Sequence, residues 1–341
     1  MIRFATVGTG FITDAFIKGA LKTGMMSLAA VHSRSPEKGK ELSSKYGEDI
    51  PCFTDINELA SSDLIDAVYI ASPNAMHAPP PPPQPKSFLE HGKHVLVEKS
   101  AASNSRELSE VIALAEEKGL VFMEAMKSLT MPAYLSLKEN LERIGRIRKY
   151  VGIYCQYSSR YDRHKSGEYV NTFRKEFSNG SLMDIGIYCI YPLIDLFGIP
   201  DSIKAVGTIL EDGGVDGSGS VVMQYQDMEA VVIHSKISDS KLPSEIQGEQ
   251  GSILIDRIGS PGEITLILRD GTKEILSPFT HNEDMYYEAA EFVKTIKSGK
   301  SFSGVNSEKL ALSVHGVMDE IRKQIGLVFP SDKKDDNCTE I

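Results

Sequence analysis

The first 34 residues restrict the fold of this chain more than any other stretch. An apolar run, Met1-Ile2-Arg3-Phe4-Ala5-Thr6-Val7, passes directly into Gly8-Thr9-Gly10-Phe11-Ile12-Thr13. A segment with Ile12, Ala15, Phe16, Gly19 and Ala20 at helical spacing follows, and a second apolar run ends in Val31-His32-Ser33-Arg34. Strand, glycine turn, helix and strand in that order make a βαβ unit. Gly8 serves the tight turn, and Gly10 lets backbone N–H groups approach a pyrophosphate resting on the positive end of the helix dipole. Gly8, Thr9, Gly10, Phe11 and Ile12 are therefore candidate contacts to a dinucleotide. Thr13 stands where the usual fingerprint has a third glycine, so the plainer alternative is a tight turn without ligand. The surrounding βαβ order favours the dinucleotide.

The second strand ends without the Asp or Glu that would bond a bare ribose 2′-hydroxyl. Ser33 can donate to a 2′-phosphate and the Arg34 guanidinium can pair with it, which favours NADP, with NAD as the alternative coenzyme. An ordinary surface arginine is the competing reading of Arg34.

At 341 residues and 41% hydrophobic content, the chain has the size and composition of two soluble globular domains. A formal net charge of -10 argues against nucleic acid or an anionic membrane as the main partner. The chain enters a core strand at once and shows no run of about 18 apolar residues, so a cytoplasmic protein without membrane spans is expected. Four scattered cysteines form no C-x-x-C pair and eight histidines no H-E-x-x-H, so neither a metal site nor a disulfide framework is expected.

Glu37 to Tyr46 reads as a short helix. Ile65 to Ala71 reads as a strand buried on both faces of a parallel sheet. Loops at the carboxyl ends of such strands line the coenzyme crevice, which makes Ser72, Pro73 and Asn74 candidate contacts, a ligand-free turn being the alternative. Residues 79 to 85, Pro-Pro-Pro-Pro-Pro-Gln-Pro, occupy the place of a crossover helix. Prolines lack the N–H donors of a helix, so this run reads as extended polyproline II or disordered, with a helix surviving only over Lys86 to Glu90. Docking of a proline-recognition domain rests on this run alone.

His94 to Val97 is the next strand, ending in Glu98-Lys99. Asn104 to Lys118 is a helix with Asn104 and Glu107 in capping-box positions and Gly119 as its stop. Leu120 to Ala125 is a strand, and Pro132 opens a helix that Gly145 ends. From Arg148 the texture changes to strands at short intervals: Lys149 to Tyr157, Ile203 to Leu210, Ser220 to Tyr225, Ala230 to Ile237, Ser252 to Asp256 and Ile264 to Leu268. Helices over Ser181 to Phe197, Glu283 to Lys297 and Ser307 to Ile325 complete the pattern. The expected fold is α/β plus α+β. A dinucleotide-binding domain over 1–125 precedes a substrate and dimerisation domain over 126–328, built on a large, mainly antiparallel open sheet, and a polar tail over 329–341.

Two groups suit redox chemistry beside a nicotinamide. Lys99 ends a buried parallel strand at its carboxyl edge, where a lysine can bond a substrate oxygen as charge develops. Asp184 and Tyr188 lie four apart and share a helix face, and a phenol there can pass a proton to or from a carbinol oxygen. The alternatives are a solvent-exposed lysine, a Ser181-x-x-Asp184 capping box and a packed tyrosine.

Four blocks together resemble the glucose-fructose oxidoreductase, inositol dehydrogenase and rhizopine-catabolism family. They are Val7 to Gly10, Ser72-Pro73-Asn74-Ala75-Met76-His77, Gly92-Lys93-His94-Val95-Leu96-Val97-Glu98-Lys99, and Asn179 to Tyr188. The resemblance spans nearly the whole chain and implies an NADP-dependent oxidoreductase acting on a small sugar, polyol or trans-diol. It implies catalytic roles for Lys99, Asp184 and Tyr188, coenzyme contacts at His77, Glu98 and Lys99, and a homodimer or dimer of dimers. Tyr188 in place of histidine is similar to the branch of dihydrodiol and xylose dehydrogenases. Arg160 and Arg174 are candidates for gripping substrate oxygens. Ser100 departs from the family's proline, which implies looser placement of Lys99, and Lys127 stands where the dihydrodiol branch has tryptophan. A non-catalytic coenzyme sensor of the same fold is the alternative function.

Overall fold

A computed structural model of the protein describes residues 1–72, 84–277 and 284–333. The N-terminal sheet is wholly parallel and contains β1 (Ile2–Val7), β2 (Met26–His32), β3 (Cys52–Phe53), β4 (Ala67–Ile70), β5 (His94–Glu98) and β6 (Phe122–Ala125), in the order β3-β2-β1-β4-β5-β6. Its crossovers carry α1 (Phe11–Lys22), α2 (Pro36–Ser44), α3 (Ile56–Ser61), α4 (Gln84–Glu90) and α5 (Ser105–Lys118). The strand order reverses beside β1, the point at which an open α/β sheet leaves a crevice at its carboxyl edge. The Asn104 side chain caps α5 by accepting from Glu107 N–H at 3.0 Å, and Gly119 ends the helix.

Residues 84 and 85 differ from the reading of the proline run. Gln84 and Pro85 form the first turn of α4, where a missing N–H has no helical acceptor to lose. Residues 79 to 83 lie outside the described residues, as do Pro73, Asn74 and His77.

After α6 (Lys127–Thr130) and α7 (Pro132–Asn140) comes an eight-stranded sheet containing β7 (Ile147–Cys155), β8 (Ser202–Ile209), β9 (Asp216–Gln224), β10 (Glu229–Ser235), β11 (Ser244–Gly248), β12 (Gly251–Ile255), β13 (Ile264–Leu268) and β14 (Lys273–Ser277). Its order is β14-β13-β12-β11-β7-β10-β9-β8, antiparallel throughout except for the central pair β7 and β10. The sheet is therefore mixed but mostly antiparallel, and β11 and β14 add two strands to those read from the sequence. Between β7 and β8 the chain forms α8 (Tyr161–Lys165), a π-helical turn over Leu182–Gly186 and α9 (Ile187–Phe197). The chain closes with α10 (Asp284–Lys297) and α11 (Glu308–Ile325).

One continuous apolar core runs from Val95 and Leu108 through Leu182 and Tyr191 to Ile246, so the two sheets share buried side chains. The other face of the parallel sheet is covered by α1 and α10, where Phe16, Tyr69, Phe292 and Val293 are buried together. Gly19 permits this contact, because a Cβ there would lie 2.8 Å from the backbone of Met285. Thus α10 returns to cover the first sheet although it lies within the stretch assigned to the second domain. Phe329 is fully buried and Asp332 pairs with Arg322 at 2.6 Å, which docks residues 329 to 332 onto α11.

Lys175–Phe197 is long and apolar enough on average to cross a membrane, although Asp184 and Asp195 interrupt it and it is no continuous apolar run. Of its most apolar window, 72% is buried in the protein, so its apolar character serves the core.

Candidate active site

The carboxyl edge of the parallel sheet faces the second sheet across a cavity of about 660 Å³. At one end lies the glycine turn. Gly8 has φ +108°, a left-handed value that an L-residue resists, and its N–H bonds the His32 carbonyl at 3.1 Å. Gly10 precedes α1 without any side-chain cap, and a Cβ on it would meet nothing within 4 Å. The first-turn N–H groups of α1 are therefore open to an acceptor. Thr13, which replaces the third glycine, is buried, and its hydroxyl has no partner among the described residues. Phe11 is 80% exposed and lines the cavity with Ile12. An uncapped helix start, room beside Gly10 and an orphaned hydroxyl together suit a bound pyrophosphate.

Ser33 is buried and its hydroxyl accepts from Ser35 N–H at 3.2 Å. Arg34 is exposed and makes no ion pair among the described residues. Ser72 lines the cavity and donates to Gln84 Oε1 at 2.6 Å.

The other end of the cavity is built by three elements. Lys99 follows β5, Asp184 projects from the π-helical turn, and Tyr188 lies in the first turn of α9. Lys99 Nζ donates to both the Asp184 carboxylate and the Asp184 carbonyl at 2.7 Å, and lies 5.3 Å from the centroid of the Tyr188 ring. The second Asp184 oxygen is ion-paired with Lys236, which follows β10. The capping-box alternative is thereby excluded: the Asp184 carboxylate serves two lysines, and Ser181 Oγ bonds His234 Nδ1 at 2.9 Å. The Lys99–Ser100 peptide is cis, and the buried Ser100 hydroxyl donates to the Met183 carbonyl at 3.0 Å. Lys99 itself makes two hydrogen bonds to Asp184, with a serine following it where the family has proline.

Burial and charge oppose each other in this cluster. Burial lowers the Lys99 pKa, but Asp184, Tyr188 and Glu98 outweigh it and keep the ammonium above the ordinary lysine range. Burial would raise Asp184, yet Lys99 and Lys236 hold its carboxyl well below the usual value. Burial pushes the Tyr188 phenol up, against the pull of Lys99, so it rests protonated. The buried Glu98 carboxyl, raised by burial, accepts from Tyr69 OH at 2.5 Å.

The full length of the chain supports one assignment. Profiles described as "Oxidoreductase family, NAD-binding Rossmann fold" and "GFO/IDH/MocA C-terminal domain" match residues 2–126 and 135–254. The chain is 48% identical to the scyllo-inositol 2-dehydrogenase (NADP(+)) IolU of Bacillus subtilis, over 98% of this chain and 100% of that one. The chain belongs to the glucose-fructose oxidoreductase and inositol dehydrogenase family. Another member, the trans-1,2-dihydrobenzene-1,2-diol dehydrogenase of Mus musculus, is 30% identical over 98% of this chain and 99% of its own. The fold is similar to that of KijD10, a 3-ketoreductase from Actinomadura kijaniata solved with NADP and TDP-benzene, with a TM-score of 0.82 at 21% identity. That match covers 95% of this chain and 98% of the other.

Among the other candidates in this family member, Arg160 lines the cavity and donates to Thr172 Oγ1 at 2.8 Å. Arg174 is not brought to the cavity wall: it pairs with Asp212 at 2.6 Å and stacks over Tyr169. Sequence reasoning missed Lys236 and Tyr154, whose ring lies 5.8 Å from that of Tyr188. It also missed the neutral wall of Gln156, Ser158, Ser159, Asn171 and Asn179. No local motif marks any of these. Among the described residues, no cluster of His, Cys, Asp and Glu could hold a metal ion.

Proposed function

We propose that this protein is an NADP(H)-dependent oxidoreductase that interconverts a secondary alcohol and a carbonyl on a small polyol, sugar or trans-diol. The observation that carries this reading is the convergence of Lys99, which follows a strand of the parallel sheet, with Asp184 and Tyr188, from the π-helical turn and α9, on one cavity beside an uncapped, glycine-opened helix. The activities of the two relatives, an inositol dehydrogenase using NADP and a trans-diol dehydrogenase, support the substrate class and coenzyme.

The nicotinamide, when bound, supplies the hydride acceptor or donor. Gly8 to Ile12 would hold the pyrophosphate, and Ser33 with Arg34 the 2′-phosphate. In reduction, the protonated Tyr188 gives its proton to the oxygen that becomes the hydroxyl, and Lys99 lowers the charge building on that oxygen. Asp184 keeps Lys99 charged and aimed. The neutral wall of amides and hydroxyls suits the remaining hydroxyls of an uncharged polyol. The exposed part of the second sheet, with Val206 and Val222 at 71% and 48% exposure, is the surface for docking a second copy. The thiols of Cys52, Cys155 and Cys189 are free, in keeping with a cytoplasmic enzyme.

The test is turnover. Purified protein with NADP+ and scyllo-inositol should form NADPH. Tyr188→Phe should lower kcat by roughly 10²- to 10⁴-fold and leave the NADPH Kd within about twofold. Lys99→Met should also slow turnover. Full activity in both variants refutes the assigned roles, and tight NADPH binding with no turnover of any polyol, ketose or inosone returns the sensor reading.

A further inference from the structure

Lys236 belongs to none of the recognised sequence blocks, yet it is fixed as firmly as the groups that do. Its N–H donates to the Gly217 carbonyl at 2.8 Å, and its carbonyl accepts from Ser158 N–H at 2.9 Å. Its side chain is 8% exposed, lines the same cavity as Lys99, and ends on the Asp184 oxygen that Lys99 does not use. One carboxylate is thus divided between two ammoniums supplied by different sheets.

Lys99 and Asp184 alone would form a neutral pair. Lys236 adds one positive charge to that pair, and the groups packed around it modify this charge from farther away than the Asp184 carboxylate. Behind Lys99, burial raises the Glu98 carboxyl above its ordinary value, while Lys99, Tyr69 and Lys127 pull it back towards the charged form. His234, on β10, is pushed down to about 4 by burial and is uncharged at neutral pH. Asp216, on β9, is pushed up to about 6 by burial, so at neutral pH it is a carboxylate that accepts from the N–H of Leu182 at 2.7 Å and partly offsets Lys236 at longer range. Tyr154, on β7, and Tyr188, on α9, are both raised above the ordinary phenol range, burial being the main cause, and contribute no charge at rest.

We propose that Lys236 is a positioning residue of the reaction. By taking half of the Asp184 carboxylate, it leaves the Lys99 charge less fully compensated where it faces the oxygen that exchanges a proton with Tyr188. A preorganised positive charge there favours the oxyanion formed as an alcohol is oxidised. This inference rests on the proposed oxidoreductase chemistry, so one of its tests must be independent of turnover.

The experiment compares Lys236→Met and Lys236→Arg with wild type, using scyllo-inositol and NADP+ across a pH series. The methionine variant should lose about 100-fold in kcat, the scale of one unit charge at contact range in a partly wet site. Its oxidation rate should level off about one pH unit higher, because losing a cation disfavours the anion, while KM for NADP+ stays within about twofold. The arginine variant should restore the original pH profile. A slowed methionine variant with an unmoved profile, or an arginine variant no better than methionine, reduces Lys236 to packing and overturns the proposal.

The turnover-independent readout is trace acetylation of Lys99 by acetic anhydride, measured by peptide mass spectrometry. With Lys236 gone, Asp184 acts on Lys99 alone, Lys99 holds its proton more tightly, and labelling should fall several-fold. If wild type oxidises no polyol, the functional reading fails and labelling decides: reduced labelling supports the charge division, and unchanged labelling overturns it.

Discussion

Asp184→Asn keeps the shape of the side chain that joins the two halves of the site and removes its charge. One carboxylate oxygen accepts from Lys99 at 2.7 Å, and the other is paired with Lys236. An amide offers one oxygen and one NH2, so one ammonium must face a donor, and both lysines lose their counter-ion. Removing one partner of a buried ion pair costs about 3–5 kcal/mol. The Asp184 side chain is 31% exposed, so water screens part of this, and the expected loss is about 2–3 kcal/mol. With a urea m-value of roughly 3 kcal/mol per molar, the unfolding midpoint falls by about 0.7–1 M. Because the native carboxyl pKa is depressed, its stabilisation is complete above the unfolded value near 3.8 and is lost as pH falls through the native one. The penalty should therefore be constant across neutral pH. Adding Lys236→Met removes one of the uncompensated ammoniums, and the double variant should recover about half of the loss. An Asp184→Asn protein within about 0.5 kcal/mol of wild type would refute the ion-pair reasoning. A double variant no more stable than the single one would refute the share assigned to Lys236.

The remaining predictions concern the coenzyme end and the buried base of the π-helical turn. Arg34→Ala should weaken NADPH binding by about tenfold or more and leave NADH within about twofold, read by coenzyme fluorescence titration. Equal weakening of both would remove the 2′-phosphate from its role. Asp216 is pushed up to about 6 and His234 down to about 4, in both cases chiefly by burial, and the two lie 3.7 Å apart. The Asp216 contribution is present below its unfolded value near 3.8 and lost as pH rises through 6. The His234 contribution is present above its unfolded value near 6.5 and lost as pH falls through 4. The two slopes oppose each other, so Asp216→Asn should lose up to about 3 kcal/mol more than wild type between pH 6.5 and 4, followed by urea unfolding at each pH. Parallel curves would show that Asp216 does not retain a proton in the native state.

Much of the architecture could be read from local signals. β1, α1 and β2 declare themselves through apolar runs and a glycine turn, and α5 through Asn104 and Gly119. The strands that escaped notice, β11 (Ser244–Gly248) and β14 (Lys273–Ser277), are rich in Ser, Glu, Gln and Lys and owe their existence to a neighbouring strand rather than to their own composition. Pro85 deceived for a related reason. A proline run excludes a helix interior but not a first turn, and α4 begins where that exception applies. The apolar stretch within Lys175–Phe197 serves the core, because β7, β9 and β10 of the second sheet and the helices α6 and α11 pack against it.

The same division explains the site. A pyrophosphate is held by backbone N–H groups at one turn, so the residues that matter are consecutive and their spacing is visible in the sequence. Lys99 inherits that legibility by following a buried parallel strand, and Tyr188 by sharing a helix face with Asp184. Lys236 has neither advantage. It stands after an unremarkable strand and meets Asp184 only because β10 lies parallel to β7, beneath the turn that carries the carboxylate. A contact made by sheet order leaves no periodicity for a reader of the sequence to detect. Charge balance could have prompted the search: one carboxylate beside a buried lysine in a polyol cavity leaves no excess charge for an oxyanion. In the proposed chemistry the second cation comes from the half of the chain whose chemistry is written in its topology rather than in its motifs.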